Sequence, residues 1–472
     1  MSAGVTRMLN RKWMTLIALG ACLSLSACGS SSTKKDENPA VKATGATTNE
    51  AAIKAFENAV SVYEKSEGKN LEQVQSYLEE ALSEDARFGK AWFNLGVIQE
   101  RRGLRDEART SYQKALDVSP ALGSALVNLG MMKWEDGSPS EARDLFNQAV
   151  QADNFNPAAH SNISAFYRMD DDHRNAVRHA RLSLAGDSQN VDAYANLAKT
   201  YYAMKAYDVA LLVCLNAEKI DPNKADIYNI MGMIWLAKND VTEAIRQFRR
   251  ALEKDPKHVA ALMNLGAVIL NVRDYEGAIS LFEQVLALEP KNTEAKISIA
   301  VAKRGLGDLD AARALYEEVK AVEPENASVQ FNLGVMEHEH MAQNAMIGLG
   351  QGDAPADPIA QMDWTIGNME KALQHYEKAI EHYRNFLAYD REVDQEAQKE
   401  ANERITQVQQ LIQVTGEQIP QLKEQKIMIQ QDMKAAEEAE AQAAAEEKAA
   451  AEAAAAQESA EETGTAPPTP TE

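Results

Sequence analysis

Four of the eight histidines, His338, His340, His375 and His382, lie close together late in the chain, with Glu337 and Glu339 beside the first pair. Imidazole and carboxylate are the donors of a zinc or iron site, and His375 and His382, seven residues apart, share a helix face. No standard ligand spacing joins them, so solvated or capping histidines are expected rather than a metal centre. The sequence also has no Gly-x-Ser-x-Gly elbow, phosphate-binding Gly-x-x-x-x-Gly-Lys loop, His-Glu-x-x-His helix or paired Cys-x-x-Cys. Neither a cofactor nor a small-molecule substrate is expected, and a metal-dependent enzyme subunit is the weaker alternative. A second set of side chains points to binding. Asn94, Asn128, Asn162, Asn196, Asn264 and Asn332 fall on one 34-residue step, with Ile230 and Ser298 filling the gaps. A carboxamide donates and accepts a hydrogen bond at once, which suits a peptide backbone whatever its side chains are.

The same step runs through the elements that must hold these residues. Gly96, Gly130, Ser164, Ala198, Gly232, Gly266 and Ala300 are all small, and Ala108, Ala142, Ala176, Ala210, Ala244, Ala278 and Ala312 are all alanine. Four residues later stand Tyr112, Phe146, Cys214, Phe248, Phe282 and Tyr316, with Ala180 the exception. Pro120, Pro222, Pro256, Pro290 and Pro324 close most copies. Small residues let two helices of a hairpin approach, large ones fill the gap to the next hairpin, and proline stops the second helix. The pattern resembles the tetratricopeptide repeat, with seven copies over 89–326. The resemblance implies an all-α, right-handed superhelix that binds proteins along the row of its first helices. It also places the asparagine series in the groove, with Phe93, Met131 and Trp134 beside it, alongside Val97, Val127, Met233, Leu236, Met263 and Leu270. A Met-containing inner surface suits an apolar peptide or helix, although plain packing between first helices explains it equally well.

Arg7, Arg11 and Lys12 precede an apolar run from Trp13 to Ala27, too short and wrongly flanked for a transmembrane helix. Its end, Leu25-Ser26-Ala27-Cys28-Gly29, resembles a bacterial lipobox. That resemblance implies cleavage of residues 1–27 and acylation of Cys28, for example by palmitate, with residues 28–49 as a flexible tether. Gly29, in the place of a retention aspartate, implies the outer membrane with the array facing the periplasm. The formal net charge of -22 and pI of about 4.9 argue against nucleic acid or an anionic lipid surface as partner. Three cysteines form no disulfide framework, and Cys214 reads as a buried hydrophobe.

Residues 50–88 read as a degenerate N-terminal hairpin. An eighth copy over 327–390 starts with Phe331, Asn332, Leu333 and Gly334, and its second helix is expected to carry Ala372, Tyr376 and Ala379 after an inserted loop at 341–367. Residues 391–433 read as capping helices interrupted at Gly416 and Pro420, and 434–472 as an Ala/Glu-rich helix with a disordered tail. A lipid-anchored periplasmic scaffold holding protein partners in a multiprotein envelope machine is the expected function. The order of leader, array and tail resembles tetratricopeptide lipoproteins of the myxobacterial type, including those of adventurous gliding motility. A pilotin or assembly role, or a chaperone-like one for exported proteins, is the alternative.

Overall fold

The computed structural model describes residues 48–348, 352–390 and 395–462, and every regular element among them is helical. Cys28, the leader and nearly all of the tether lie outside the described residues, as does 463–472. The chain divides into two compact units between Lys291 and Asn292, so the division falls between the sixth and seventh copies of the repeat.

In the first unit, α1 (Glu50–Lys65) and α2 (Leu71–Glu84) form the expected degenerate hairpin around Ala52, Ala55, Ala59, Leu78 and Ala81. Six regular hairpins follow. They are α3 (Gly89–Arg101) with α4 (Arg105–Val118), α5 (Gly123–Glu135) with α6 (Pro139–Ala152), and α7 (Pro157–Met169) with α8 (His173–Gly186). The last three are α9 (Val191–Ala203) with α10 (Tyr207–Ile220), α11 (Ala225–Ala237) with α12 (Val241–Lys254), and α13 (Val259–Asn271) with α14 (Tyr275–Leu288). No hairpin buries its apolar face alone, so each packs its second helix on the first helix of the next, and first helices also touch one another.

Within each hairpin the sequence sets the spacing by size. A Cβ added at Gly232 would lie 2.5 Å from the Phe248 ring, and one at Gly130 2.7 Å from Phe146. Where the ring is missing, the small residue grows. Ser164 faces Ala180 and donates from its hydroxyl to the Ala176 carbonyl at 2.8 Å, and Ala198 stands against Cys214. In three copies the polar end of the residue that starts the signature also has a fixed partner. The Trp92 indole, the His160 imidazole and the Tyr228 hydroxyl each bond the carbonyl six residues upstream, on Ala86, Asn154 and Pro222.

The turn inside each hairpin places one residue in the left-handed region: Gly103, Gly137, Asp171, Lys205, Asn239, Arg273 and Gly307. The next residue then caps the second helix in several copies, with Asp172, Asp240, Asp274 and Asp308 accepting a backbone N–H. Lys205 holds a φ of 59° that a Cβ disfavours. Lys205→Gly is therefore expected to raise unfolding stability by about 1 kcal/mol, measured by urea titration.

The second unit opens with α15 (Thr293–Gly305) and α16 (Leu309–Val322), then α17 (Ala327–Met336). The segment expected as an inserted loop at 341–367 is mostly helix. Where the earlier copies turn, α17 runs on through one π turn, Glu337–Met341, into α18 (Ala342–Met346). After a short connection the chain returns as α19 (Pro358–Tyr389). The insertion thus lengthens both arms of the eighth hairpin. The phase differs too: Gly334 meets Tyr383, with a Cβ 2.7 Å from the ring, so Ala379, Tyr383 and Phe386 take the places expected for Ala372, Tyr376 and Ala379. Seven residues is close to two turns, so both sets share a face, and only the Gly334 contact tells them apart.

α20 (Gln395–Glu462) is continuous, and Pro420 sits inside it with no break there or at Gly416. A proline clashes with the carbonyl four residues back and removes one hydrogen bond. That carbonyl belongs to Gly416, which leaves the backbone free to tilt. The flanking turns are held by packing: Ile419 is buried against Ile366 and Met369 of α19, and Ala397, Ala401 and Val408 are also buried. Lys423 pairs with Glu370 and Lys426 with Asp363, which fixes α20 antiparallel to α19.

Candidate functional site

The row of first helices from α3 to α13 is where the sequence places its binding residues. The structure puts five of the six asparagines there, with Asn332 on α17 of the second unit, and turns most of them into the packing. Asn128, Asn162, Asn264 and Asn332 are more than nine-tenths buried. Asn128 donates to the Tyr112 hydroxyl at 3.0 Å, and that hydroxyl donates to Glu100 at 2.6 Å. Asn196 reaches back to the preceding first helix and donates to the carbonyl and hydroxyl of Ser161 at 3.0 and 2.9 Å. Asn264 donates to Asn229 at 2.9 Å across the same kind of boundary. Asn94 and Asn332 bond carbonyls of their own helices, on Lys90 and Ser328. Four of these amide groups are thus removed from solvent, and Asn94 and Asn196 keep partial exposure.

The apolar neighbours divide in the same way. Met131 is buried, as are Val127, Met233, Met263 and Leu270. Phe93 and Trp134 stay half-buried; Phe93 lies 5.9 Å from the Tyr112 ring and Trp134 stands edge-on to Phe166 at 5.0 Å. Tyr202 and Leu236 occupy the position of Trp134 in later copies and are also half-buried. The accessible part of the row is therefore an aromatic and aliphatic strip of Phe93, Val97, Trp134, Tyr202 and Leu236, with charge at its margin from Lys90, Glu100, Arg101 and Glu135.

One charged contact across the row has no counterpart in the expected residues. The Lys199 ammonium on α9 donates to the Asp226 carboxylate on α11 at 2.9 Å, with both side chains about nineteen-twentieths covered, 6% and 5% exposed. Burial alone would raise the Asp226 pKa, but the charge and hydrogen bond of Lys199 outweigh it and hold the carboxyl below its ordinary value. Nothing in the sequence marks this pair, because its members sit at different positions of their repeats.

In the third copy, where Ala180 stands in place of the ring, His160 and His179 pack against each other with ring centroids 5.0 Å apart. Their Nδ1 atoms are 3.0 Å apart, and His160 Nε2 bonds the Asn154 carbonyl, which assigns the donated Nδ1 proton to His179. Burial, then His160 and Arg178, push the His179 pKa down to about 4. A histidine whose folded pKa lies below its unfolded one contributes stability that is complete above the unfolded value and is lost as pH falls toward the folded one. The midpoint of unfolding is therefore expected to drop between pH 7 and pH 5. His179→Asn, which keeps a donor for His160, should flatten that slope in pH-dependent melting.

The late histidines do not converge. Glu337, 1% exposed, accepts from Arg313 at 2.7 Å and from His375 Nδ1 at 2.5 Å. His382 donates to Gln330 at 2.8 Å, and His338 is buried beside the rings of Tyr376 and Tyr383. Burial lowers the pKa values of His338, His340 and His382. His338 is buried and His340, His375 and His382 are half-buried, so they are packed structural groups rather than the solvated or capping ones expected, and among the described residues no three His, Cys, Asp or Glu side chains could hold a metal ion. Cys214 is a free, buried thiol as expected, its pKa raised by burial. Among the described residues no helix is long and apolar enough to cross a membrane.

Tetratricopeptide-repeat family models match residues 70–122, 101–157, 232–294 and 272–332. No curated protein matches the chain in sequence. Solved structures similar to it include Pseudomonas aeruginosa pilF, 18% identical over 44% of this chain and 95% of that one, with a TM-score of 0.37. YrrB, described as a TPR protein with an unusual peptide-binding site, is 18% identical over 39% of this chain and 95% of its own, with a TM-score of 0.30. The Cut9–Hcn1 hetero-tetramer of the APC/C is 14% identical over 76% of each chain, with a TM-score of 0.47.

Proposed function

We propose that this chain, built of tetratricopeptide repeats, is a periplasm-facing scaffold, anchored in the outer membrane by acylated Cys28, that holds partner proteins of a multiprotein envelope machine. The observation that carries the binding role is the half-exposed strip of Phe93, Val97, Trp134, Tyr202 and Leu236 on successive first helices. Such side chains offer a partner large apolar contact at small conformational cost. The buried amides serve to hold the strip in place rather than to meet the partner. The anchor rests on the lipobox resemblance at Cys28, and the narrower assignment to a gliding-motility complex rests on the order of leader, array and Ala/Glu-rich tail.

Photocrosslinking residues placed at Phe93 and Trp134 in living cells test both halves. The expected result is capture of one or a few envelope proteins, with the chain in the outer-membrane fraction. Cys28→Ser should remove the chain from the outer-membrane fraction, with the leader still attached. Crosslinks spread over many unrelated exported chains would replace the scaffold with a chaperone-like carrier, and a Cys28→Ser chain that still sediments with the outer membrane would remove the anchor.

A further inference from the structure

The first unit carries a second surface, apart from the inner strip. α8 holds Arg174, Arg178 and Arg181 and no carboxylate, in a chain of net charge -22. Steps of four and three place the guanidiniums on one helix face. None of the three forms an ion pair among the described residues, and Arg181 donates to the Tyr201 hydroxyl at 3.1 Å. They line an open cleft of about 600 Å³ whose remaining surface is largely apolar, with Val177, Tyr201 and Met204. Met204 is 47% exposed, and the following helix α10 leaves Leu212 59% exposed. Positive charge that makes no ion pair, with the N-cap Asp172 as the nearest carboxylate on its own element, beside bare apolar side chains is the composition of a docking surface.

The complement stands elsewhere in the sequence. Beyond Ile419, α20 leaves Ile427, Met428 and Met433 exposed at 54%, 59% and 43%. Glu437, Glu438 and Glu440 follow at once, and only Glu438 has an ion-pair partner among the described residues, Lys434 at 3.7 Å. Glu437 and Glu440 repeat the three-residue step of Arg178 and Arg181, so two such helices laid together bring those charges into register. The segment Ile427–Glu440 is about 21 Å long as a helix, enough to cover the arginine face and reach the apolar floor.

We infer that the segment Ile427–Glu440 of a second copy of this chain docks in the α8 cleft, its apolar side chains on Val177 and Met204 and its glutamates on the arginines. Two copies that exchange segments reciprocally close as a two-fold dimer with both surfaces covered.

The test uses the purified full chain with no other protein present, so it stands apart from the scaffold reading. Sedimentation velocity at about 50 and about 500 mM salt should show a dimer that weakens about tenfold or more at the higher salt. R174E/R178E/R181E and E437R/E438R/E440R should each lose the dimer, and the six changes combined should restore it. Should triple reversal disturb α8, the milder Arg178→Gln and Glu437→Gln are read in the same way. Crosslinking a mixture of light and heavy isotope-labelled chains should join α8 to the 427–440 segment in mixed-label pairs. A wild-type chain monomeric at low salt, same-label crosslinks alone (the chain's own segment as occupant), or failure of the combined reversal to restore association would overturn the proposal.

Discussion

Phe248→Ala is expected to cost about 3–5 kcal/mol, the usual range for emptying an aromatic site in a packed interior. The ring is 0% exposed and belongs to a core with Met233, Ala244, Leu265 and Val268, so it joins its own hairpin to the next one. Because stability in a repeat array is carried by neighbouring interfaces, the loss should appear as early unfolding of α11 to α14. Hydrogen exchange in those helices would show it while α1 to α6 stay protected. Leu212→Ala in the adjacent copy, where the side chain is 59% exposed, should stay within about 0.5 kcal/mol. Equal effects from the two changes would mean that the ring does not set the hairpin spacing. Gly232→Ala should cost about 1–3 kcal/mol by overpacking, since its Cβ would lie 2.5 Å from the ring. The double variant Gly232→Ala, Phe248→Cys copies the Ala198 and Cys214 pair of the fourth copy and should cost less than the two changes added.

This pairing explains why so much of the fold was legible. A glycine or other small residue opposite a ring recurs at a fixed distance, and it is a local relation within one hairpin that a single sequence displays. The hairpins at 89–322 and their turns follow from it, whereas the one at 50–84 packs on alanines and leucines without such a pair. What the sequence concealed depends on contacts between distant residues. The eighth copy offered Tyr376 and Tyr383 on the same helix face, and only the approach of Gly334 selects the second. Pro420 reads as a breaker until Ile419 is seen against Ile366 and Met369, which hold the helix through it. The asparagine series was visible as a series, but its role was not, because the partners of Asn196 and Asn264 lie one repeat away. The strip that remains accessible, Phe93, Trp134, Tyr202 and Leu236, was partly named for the right position and could not be sorted from Met131 or Leu270 without burial. The arginine step at 174, 178 and 181 went unread in the sequence, because only the structure shows that these side chains form no ion pair and line one cleft.

Asp226→Ala should be as damaging as the loss of Phe248, by a different route. It leaves the Lys199 ammonium, 6% exposed, without the carboxylate that balances it, and breaking a buried pair from one side costs about 3–5 kcal/mol. Lys199→Met with Asp226→Leu removes both charges and should come within about 1 kcal/mol of the wild type or exceed it. If the single and double changes were alike, the pair would not be buried in solution. The pH dependence separates the two states further. The folded carboxyl of Asp226 titrates below its ordinary value, so its contribution is complete above the unfolded pKa of about 4 and disappears as pH falls through the lower folded one. Acid unfolding of the wild type should therefore steepen below about pH 4, and the Met–Leu double variant should lack that component. The pair spans α9 and α11, and Asn196 and Asn264 make the corresponding links on either side of it. With polar groups fastening one first helix to the next, the apolar strip of Trp134, Tyr202 and Leu236 is held at fixed spacing before a partner arrives. Less ordering is then left to the binding step. Partner capture by the double variant should accordingly stay close to wild type, whereas Asp226→Ala should lose capture along with stability.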